Sequence, residues 1–392
     1  MLNLTSETGS AFGNFLSGIG LIQITPAQLI MILLACLLSY LAIAKKYEPF
    51  LLLPLAFGML IANIPLAGLS SHDEGGLIYY IYQGIKLGIY PPLIFLCIGA
   101  MTDFGPLLSA PSSALIGLGG QLGIFVALGG SYALGLGLSH IIPGFAPFTI
   151  QEAISIGIIG SSDGPTSIYT ADILAPHLLP TIAIAAYSYM ALVPIIQPPI
   201  MRALTTDRER VIVMPTQKKI SKRAKILFPI ALTLATLLLV PAAGPLIAML
   251  MLGNLIKESG VTDRIARSLQ GDMLNILTLF IGLSVGAMAT ADRILTPQTI
   301  LVIVMGLIAF AFGTIGGVLI AKLLCKLSGG KINPLIGNSG VSAMPMAARV
   351  SQKVAQEYNP NNHLLMHAMG PIVASTIGSA LIAGILIAMF GG

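Results

Sequence analysis

Residues 297–321 run for 25 positions without one charged side chain, and residues 364–390 do the same with a histidine as their only ionisable group. About 20 apolar residues suffice for a helix to cross the roughly 30 Å hydrocarbon layer of a bilayer. Hydrocarbon offers no partner to an unpaired backbone N–H or C=O, so only helices and closed barrels span it. Runs that are continuous rather than alternating choose the helix. Composition agrees. Charged residues make up 9% of the 392, against about 25% in a soluble domain, too few to clothe a soluble surface. The 55% of AVILMFWYC and the 43 glycines exclude intrinsic disorder and a disulfide scaffold. They also exclude a basic nucleic-acid binder, despite a formal net charge of +5. The fold class expected is an all-α polytopic membrane protein.

Spans are expected near 27–44, 50–67, 89–102, 112–139, 178–200, 226–240, 243–257, 273–291, 297–321 and 364–390, ten in all. Segments 150–174 and 333–353 mix apolar residues with Gly, Ser, Pro and charge, and read as broken or re-entrant pieces. The linker 202–225 holds Arg202, Arg208, Arg210, Lys218, Lys219, Lys222, Arg223 and Lys225. Basic loops stay cytoplasmic. With ten crossings both termini lie outside, and 18 of the 20 Lys and Arg fall inside, leaving Lys86 and Arg293 outside. The start of the chain lacks the positive region and cleavage site of a signal peptide, and residues 11–24 read as a short interfacial or re-entrant piece. Cys36, Cys97 and Cys325 lie in apolar runs and read as small core residues. His72, His140, His177, His363 and His367 have no ligand spacing and read as loop-end residues.

The two halves echo each other in order. Gly58-Met59-Leu60-Ile61-Ala62 resembles Gly253-Asn254-Leu255-Ile256-Lys257, and Gly99-Ala100-Met101 matches Gly286-Ala287-Met288. Ile159-Gly160-Ser161-Ser162 then matches Ile336-Gly337-Asn338-Ser339, and His177-Leu178-Leu179 matches His363-Leu364-Leu365. Five crossings per half make the second copy inverted. The expected organisation is a first inverted repeat at 1–201, the cytoplasmic linker at 202–225 and a second repeat at 226–392. Transporters of this plan bind their cargo at the repeat interface, where Gly- or Pro-broken segments occupy matching positions. Segments 150–174 and 333–353 are that pair.

Pro165 cannot donate a backbone hydrogen bond and disfavours helix at Gly164, so a break is expected at Asp163. A carboxylate at mid-depth costs at least about 2.5–3.5 kcal/mol unless partnered. One carboxylate among hydroxyl and carbonyl oxygens suits a small monovalent cation, whereas calcium and magnesium sites carry more carboxylates. The alternative is that Asp163 merely caps the half-helix starting at Pro165. In the partner segment Asn333, Asn338, Ser339 and Ser342 offer neutral oxygens. Ser342 and Arg349 are seven apart, two helical turns, so they are expected to share a face. Arg349 either snorkels to the cytoplasmic surface or binds a carboxylate entering from inside. Tyr187 and Tyr189 either belong to an interfacial belt or exchange a phenolic proton for a cation, since a nearby positive charge lowers a tyrosine pKa.

With Gly160-Ser161-Ser162-Asp163-Gly164-Pro165-Thr166 and the stretch from Gly337 to Arg349, the chain resembles the β subunits of the biotin-dependent sodium-translocating decarboxylases. That family includes the oxaloacetate, methylmalonyl-CoA, glutaconyl-CoA and malonate enzymes, and the resemblance covers essentially the whole chain. It implies a subunit that decarboxylates carboxybiotin and couples this to Na+ export across the bacterial cytoplasmic (inner) membrane, consuming a proton. It implies Na+ at Asp163, with Asn333, Gly337, Ser342 and Tyr189 as further sodium-site residues, Tyr189 as proton donor and Arg349 as the holder of carboxybiotin. It also implies a carboxyltransferase subunit, a biotin carrier protein or domain, a small membrane-anchoring subunit and room for a homo-oligomer. No Met-Lys-Met biotinylation motif occurs here, so biotin is expected on another polypeptide. Two readings compete with this one: a sodium-coupled solute carrier of the same architecture, and a non-catalytic membrane anchor.

Overall fold

The structure is a computed structural model that describes residues 17–46, 49–69, 75–141 and 145–391. Among these the regular structure is helical throughout. The helices that position the site are α1 (Pro26–Ala44), α2 (Pro49–Ala62), α3 (Leu77–Lys86), α4 (Tyr90–Met101), α5 (Ser113–Ile141), α6 (Ile150–Ile158) and α7 (Gly164–Leu174). After them come α8 (Leu179–Leu204), α9 (Lys222–Leu239), α10 (Gly244–Ser259), α11 (Asp263–Met288), α12 (Pro297–Leu327), α13 (Met346–Tyr358) and α14 (Leu365–Phe390).

Helices α1, α5, α11, α12 and α14 are long and apolar enough to cross a membrane, and counting each of two bent pairs as one span raises five to seven. The chain is therefore a multi-pass membrane protein. Ten spans are not reached on length and composition. The expected spans 50–67, 226–240 and 243–257 fold as helices of 14, 18 and 16 residues. The expected span 89–102 folds as α4, a helix of 12 residues, set off from α3 by Gly88, left-handed with φ +65°, and by the helix start that Pro91 and Pro92 fix. The span expected at 178–200 is bent by 61° between Tyr189 and Leu192, where Pro194 removes a helical N–H. The piece expected at 11–24 lies largely outside the described residues, as does His72; Gly20–Gln23 form one helical turn. His367 sits inside α14 rather than at a loop end. Cys97 and Cys325 are buried, but Cys36 is exposed, because α1 buries few of its side chains.

Two compact units emerge: Met1–Leu87 with Thr278–Thr299, and Gly88–Leu277 with Ile300–Gly392. Each draws on both halves of the sequence. In the first, Thr25 caps α1 through a reciprocal bond with Gln28. Gly58 on α2 lies against α11: a Cβ there would stand 2.3 Å from the Leu283 carbonyl oxygen, and one at Gly286 would stand 2.0 Å from that of Leu55. The Asn63 amide donates to the carbonyls of Met59 and Ala289, both at 2.8 Å, and its oxygen accepts from Ala291 N–H. Thr25, the 62–69 turn and the 290–295 turn share one end of this unit and line a cavity of about 750 Å³.

The second unit contains a crossing of the same form. A Cβ at Gly99 on α4 would lie 1.9 Å from the Leu250 carbonyl oxygen, and one at Gly253 on α10 would lie 1.9 Å from that of Leu96. In both crossings each glycine faces the carbonyl three residues before the other glycine. Small residues are what permit such backbone contact between membrane helices. The carboxyl end of α4 is held by Asn254 on Thr102 O (2.9 Å), Lys257 on Thr102 O (3.0 Å) and Gln270 on Ala100 O (2.7 Å). Beyond it Asp103 pairs with Lys225 at 2.8 Å.

Two predictions follow from these contacts. Gly253→Val, which forces a side chain into the Leu96 carbonyl, should destabilise the detergent-solubilised protein by about 1–3 kcal/mol, read as a lower melting temperature. Gly129→Ala, where an added Cβ meets nothing within 4 Å, should leave it unchanged. The second concerns acid. Burial pushes the Asp103 carboxyl up, but hydrogen bonds from Lys225 and the Gly105 N–H, with the charges of Lys225 and Lys257, overcome this and hold it below the usual carboxylate value. A depressed carboxylate stabilises the fold above about pH 4 and loses that contribution as pH falls through its folded value. Asp103→Asn should flatten the stability curve below pH 4, an effect kept small because the side chain is 38% exposed.

Candidate functional site: two broken helices in contact

The first break is built as the sequence requires. Helix α6 opens with the Thr149–Glu152 capping box and ends at Ile158, and Ile159–Ser161 form one tight turn. Ser162 then turns left-handed with φ +56°, an uncommon state for a residue with a Cβ. Asp163 is extended and caps α7, whose first turn contains Pro165. The Asp163 carboxylate is buried. One oxygen accepts the Thr166 N–H at 3.3 Å, and the other accepts the Ser379 hydroxyl of α14 at 2.9 Å. Asp163 thus caps α7, as one of its two readings expects, and is also bound by a distant helix. The Thr166 hydroxyl leans toward the carboxylate, and the Ser162 hydroxyl is buried beside it with no hydrogen-bond partner among the described residues. Leaving such an atom unsatisfied costs about 1–3 kcal/mol.

The second break is less helical than the spacing of Ser342 and Arg349 suggests. Asn333 is extended, Pro334–Gly340 wind as tight turns, Val341 is extended and α13 starts at Met346. Ser342 is therefore not on a helix and does not share a face with Arg349. Ser342 is buried whereas Arg349 is exposed on α13.

The two breaks touch through their backbones. The Ser342 N–H donates to the Ser161 carbonyl at 2.8 Å, two residues from Asp163. Gly160 lies against Gly123 of α5, and Gly337 against Gly317 and Val318 of α12, at distances that leave no room for a Cβ. The Ser342 hydroxyl bonds that of Ser375 on α14 at 3.0 Å, one turn before Ser379. Helix α14 thus presents Ser375 toward the second break and Ser379 toward the first.

The other expected residues fall around this centre. Tyr187 packs its ring against Gly164. Tyr189 packs on Gly306 near Ile159 and gives its hydroxyl to the Ile303 carbonyl. The two tyrosines so flank the first break, one on each side. Asn333 is elsewhere: its amide donates to the linker carbonyls of Arg210 and Ile212 at 3.0 and 2.8 Å, and its oxygen accepts from Leu335 N–H. Asn362 holds the same two carbonyls. Arg210 is itself buried, stacked 4.8 Å over Tyr358 and bonded to Thr205, Asp207 and Tyr358. The basic linker is thereby clipped to the start of the second break and to the loop before α14.

Sequence reasoning missed Ser379, Ser375, Gln121 and Gln197. The buried Gln197 amide of α8 donates to the Asn338 backbone carbonyl at 2.9 Å and its oxygen accepts from the Asn338 side-chain amide at 2.8 Å, while the Asn338 side chain also donates to Ala347 O and accepts from the Ser351 hydroxyl. A polar side chain inside an otherwise apolar span was the available signal, and it marks Gln121 and Gln197 alike.

The sequence model of the Na+-transporting oxaloacetate decarboxylase beta subunit matches residues 27–390. The chain is 50% identical to the methylmalonyl-CoA decarboxylase subunit beta of Propionigenium modestum, covering 96% of this chain and 98% of that one. It is also 50% identical to the glutaconyl-CoA decarboxylase subunit beta of Acidaminococcus fermentans (95% and 96% covered). Against an oxaloacetate decarboxylase beta chain of Salmonella typhi the identity is 48% (95% and 97% covered).

Gln197→Leu strands the Asn338 amide and should lower stability by about 1–3 kcal/mol. Thermal unfolding of the purified variant reads this directly; an unaltered melting temperature would show that the pair contributes nothing.

Proposed function

The chain belongs to the family of Na+-transporting oxaloacetate decarboxylase beta subunits, and from that premise we propose that it is the sodium-pumping membrane subunit of a biotin-dependent decarboxylase complex. It takes carboxybiotin from a carrier subunit, decarboxylates it and exports Na+, with a proton consumed. The observation that carries this reading is the bond from Ser342 N–H to the Ser161 carbonyl, which ties two broken segments together beside a buried carboxylate.

Na+ is the cargo. Asp163 is its charged ligand, and the partnerless Ser162 oxygen and the Thr166 hydroxyl complete a hard-oxygen set with the Ser342 region. Asn333 and Gly337 act by shaping the second break: Asn333 through the linker carbonyls, Gly337 through its contact with α12. Tyr189 supplies the proton that carboxybiotin needs to become carbon dioxide and free biotin, and a cation arriving nearby favours that release. Arg349, exposed on α13, receives the carboxylate of the incoming group as a charge-assisted partner.

The energetics allow this coupling. Moving one charge against 100 mV requires about 2.3 kcal/mol, and a tenfold gradient adds about 1.4 kcal/mol.

We further read the architecture as two inverted repeats, 1–201 and 226–392, joined by the cytoplasmic linker 202–225. The matching glycine crossings, α2 with α11 and α4 with α10, support it: each element of one repeat pairs with the non-equivalent element of the other. Linker contacts to Lys322, Asn333, Glu357 and Asn362 support placing these regions on one side, the cytoplasmic side of the bacterial inner membrane, with both termini outside. A carboxyltransferase subunit, a biotin carrier and a small anchoring subunit complete the complex, and copies of the chain form a homo-oligomer. The relatives' names differ in acyl substrate at nearly equal identity, so substrate choice rests with the carboxyltransferase.

Asp163→Asn should abolish Na+-dependent decarboxylation in the assembled complex while the subunit still folds and assembles. Persistent Na+ stimulation in that variant would overturn the scheme. Tyr189→Phe should slow decarboxylation by about 10²-fold or more, as expected for loss of a general acid; a rate within threefold of the parent would exclude it as proton donor.

A further inference from the structure

Helix α13 leaves the second break at Met346 and ends at Tyr358 beside the basic linker. There Glu357 pairs with Arg202 at 2.6 Å, and Arg210 donates to the Tyr358 hydroxyl at 2.9 Å. One face of the helix is turned inward, with Ala347, Ala348, Val350, Ser351, Val354 and Ala355 buried. The other carries Arg349, Lys353 and Gln356, all exposed. Arg349 and Lys353 are four apart and are neighbours on that face. Neither side chain makes a hydrogen bond or an ion pair among the described residues. The acids of this region are held by other cations: Glu357 by Arg202, Asp207 by Arg210 at 2.6 Å and Glu209 by Lys322 at 3.6 Å. Arg208, between Asp207 and Glu209, and Lys331, two residues before Asn333, are exposed and likewise uncompensated. The charge left free for a partner is therefore positive.

We infer that the exposed face of α13, on which Lys353 extends Arg349, is the docking surface for an acidic face of the carrier that brings carboxybiotin. This rests on the reading of the chain as a carboxybiotin decarboxylase. The charge complementarity begins with the cargo, which is itself an anion and whose carboxylate is given above to Arg349. The body of the carrier stands further out along the same helix. The next side chain outward on that face is Lys353, about 6 Å along the axis at 1.5 Å per residue. Like charges four apart on a helix oppose each other, and the fold supplies no acid to relieve these two, so an anionic partner is favoured there. A surface of one sign raises the association rate of an oppositely charged partner by about 10- to 10³-fold, and the gain falls steeply with ionic strength. Topology alone does not account for the alignment. Retention on the cytoplasmic side is served by a cation anywhere on that side, as by Arg264 and Arg267 at the start of α11. Anionic lipid is a poorer occupant. A helix lying on a membrane needs apolar side chains to anchor it, and the exposed residues of α13, Arg349, Lys353, Gln356 and Glu357, include none.

The test uses the assembled decarboxylase complex in phosphatidylcholine vesicles at fixed Na+, with choline chloride to vary ionic strength. Its probes are carrier-borne carboxybiotin, followed through a single turnover, and free carboxybiotin. Lys353→Glu should slow loss of the carrier-borne group at least fivefold at about 0.1 M salt. The deficit should shrink to within twofold at about 1 M, where the reach of a surface charge falls from about 10 Å to about 3 Å. Decarboxylation of free carboxybiotin should stay within twofold of the parent, which separates docking from damage to the fold. Lys353→Gln should show a smaller deficit of the same kind, and it decides if Lys353→Glu does not assemble. Arg264→Glu makes the same change in net charge on another element and should leave both rates within twofold. Equal losses with the two probes, or an equal loss in Arg264→Glu, would overturn the inference. So would a parent rate that requires added phosphatidylglycerol and loses that requirement in Lys353→Glu, because lipid would then be the occupant. The two claims fail separately. A parent complex that does not decarboxylate carboxybiotin overturns the pump reading. An active parent whose Lys353 variants match it at both salt concentrations overturns the docking surface alone.

Discussion

In hydrocarbon, a backbone group that leaves a helix must find its partner inside the protein. Everything at the centre of this molecule follows from that demand being met twice, once for each break, and in part by each break for the other. The Ser342 N–H satisfies the Ser161 carbonyl. Neither segment could be broken alone without exposing unpaired backbone to lipid. The glycines of α5 and α12 serve the same end by letting the breaks lie against helix backbone rather than side chains. Small residues at these positions are a condition for having non-helical chain at membrane depth at all.

Once the breaks are stabilised by each other, a change in one is transmitted to the other. The Asp163 carboxylate holds the Thr166 N–H and the Ser379 hydroxyl, and Ser342 holds Ser375 on the same helix. Binding a cation at Asp163 draws carboxylate oxygens toward it and competes with those bonds. The linker adds a further constraint from the polar side, since Asn333 and Asn362 grip the carbonyls of Arg210 and Ile212. The basic linker is thus bonded to the first residue of the second break. Coupling through such a route needs two discrete arrangements of the element, and a short bonded segment between two carboxamides is a suitable element to have them.

Much of this was legible in the sequence because proline and charge are unambiguous inside apolar runs. Asp163-Gly164-Pro165 marked the first break correctly. What was not legible depended on which faces of distant helices meet. Ser379 and Ser375 look like ordinary small residues of a span until α14 is seen to pass both breaks. The shared face expected for Ser342 and Arg349 assumed a helix that Pro334–Gly340 and the extended Val341 do not form. The span expected at 178–200 carried the right hydropathy, but the chain bends by 61° between Tyr189 and Leu192. Hydropathy counts residues, whereas a span requires that they be consecutive in one helix.

Asn333 shows how a residue can matter to a site without lining it. Its amide has two donors and one oxygen, and all are engaged: the donors by linker carbonyls, the oxygen by the Leu335 N–H that begins the tight turn. Its oxygen keeps one further lone pair. Removing the side chain would leave the two linker carbonyls to Asn362 alone and uncap the turn leading to Gly337. The effect would reach Ser342 through the backbone, nine residues on, as a displaced N–H rather than as a missing ligand. Loss of function on replacing such a residue is consequently weak evidence of coordination. The distinction can be drawn only from what each polar atom of the side chain already holds.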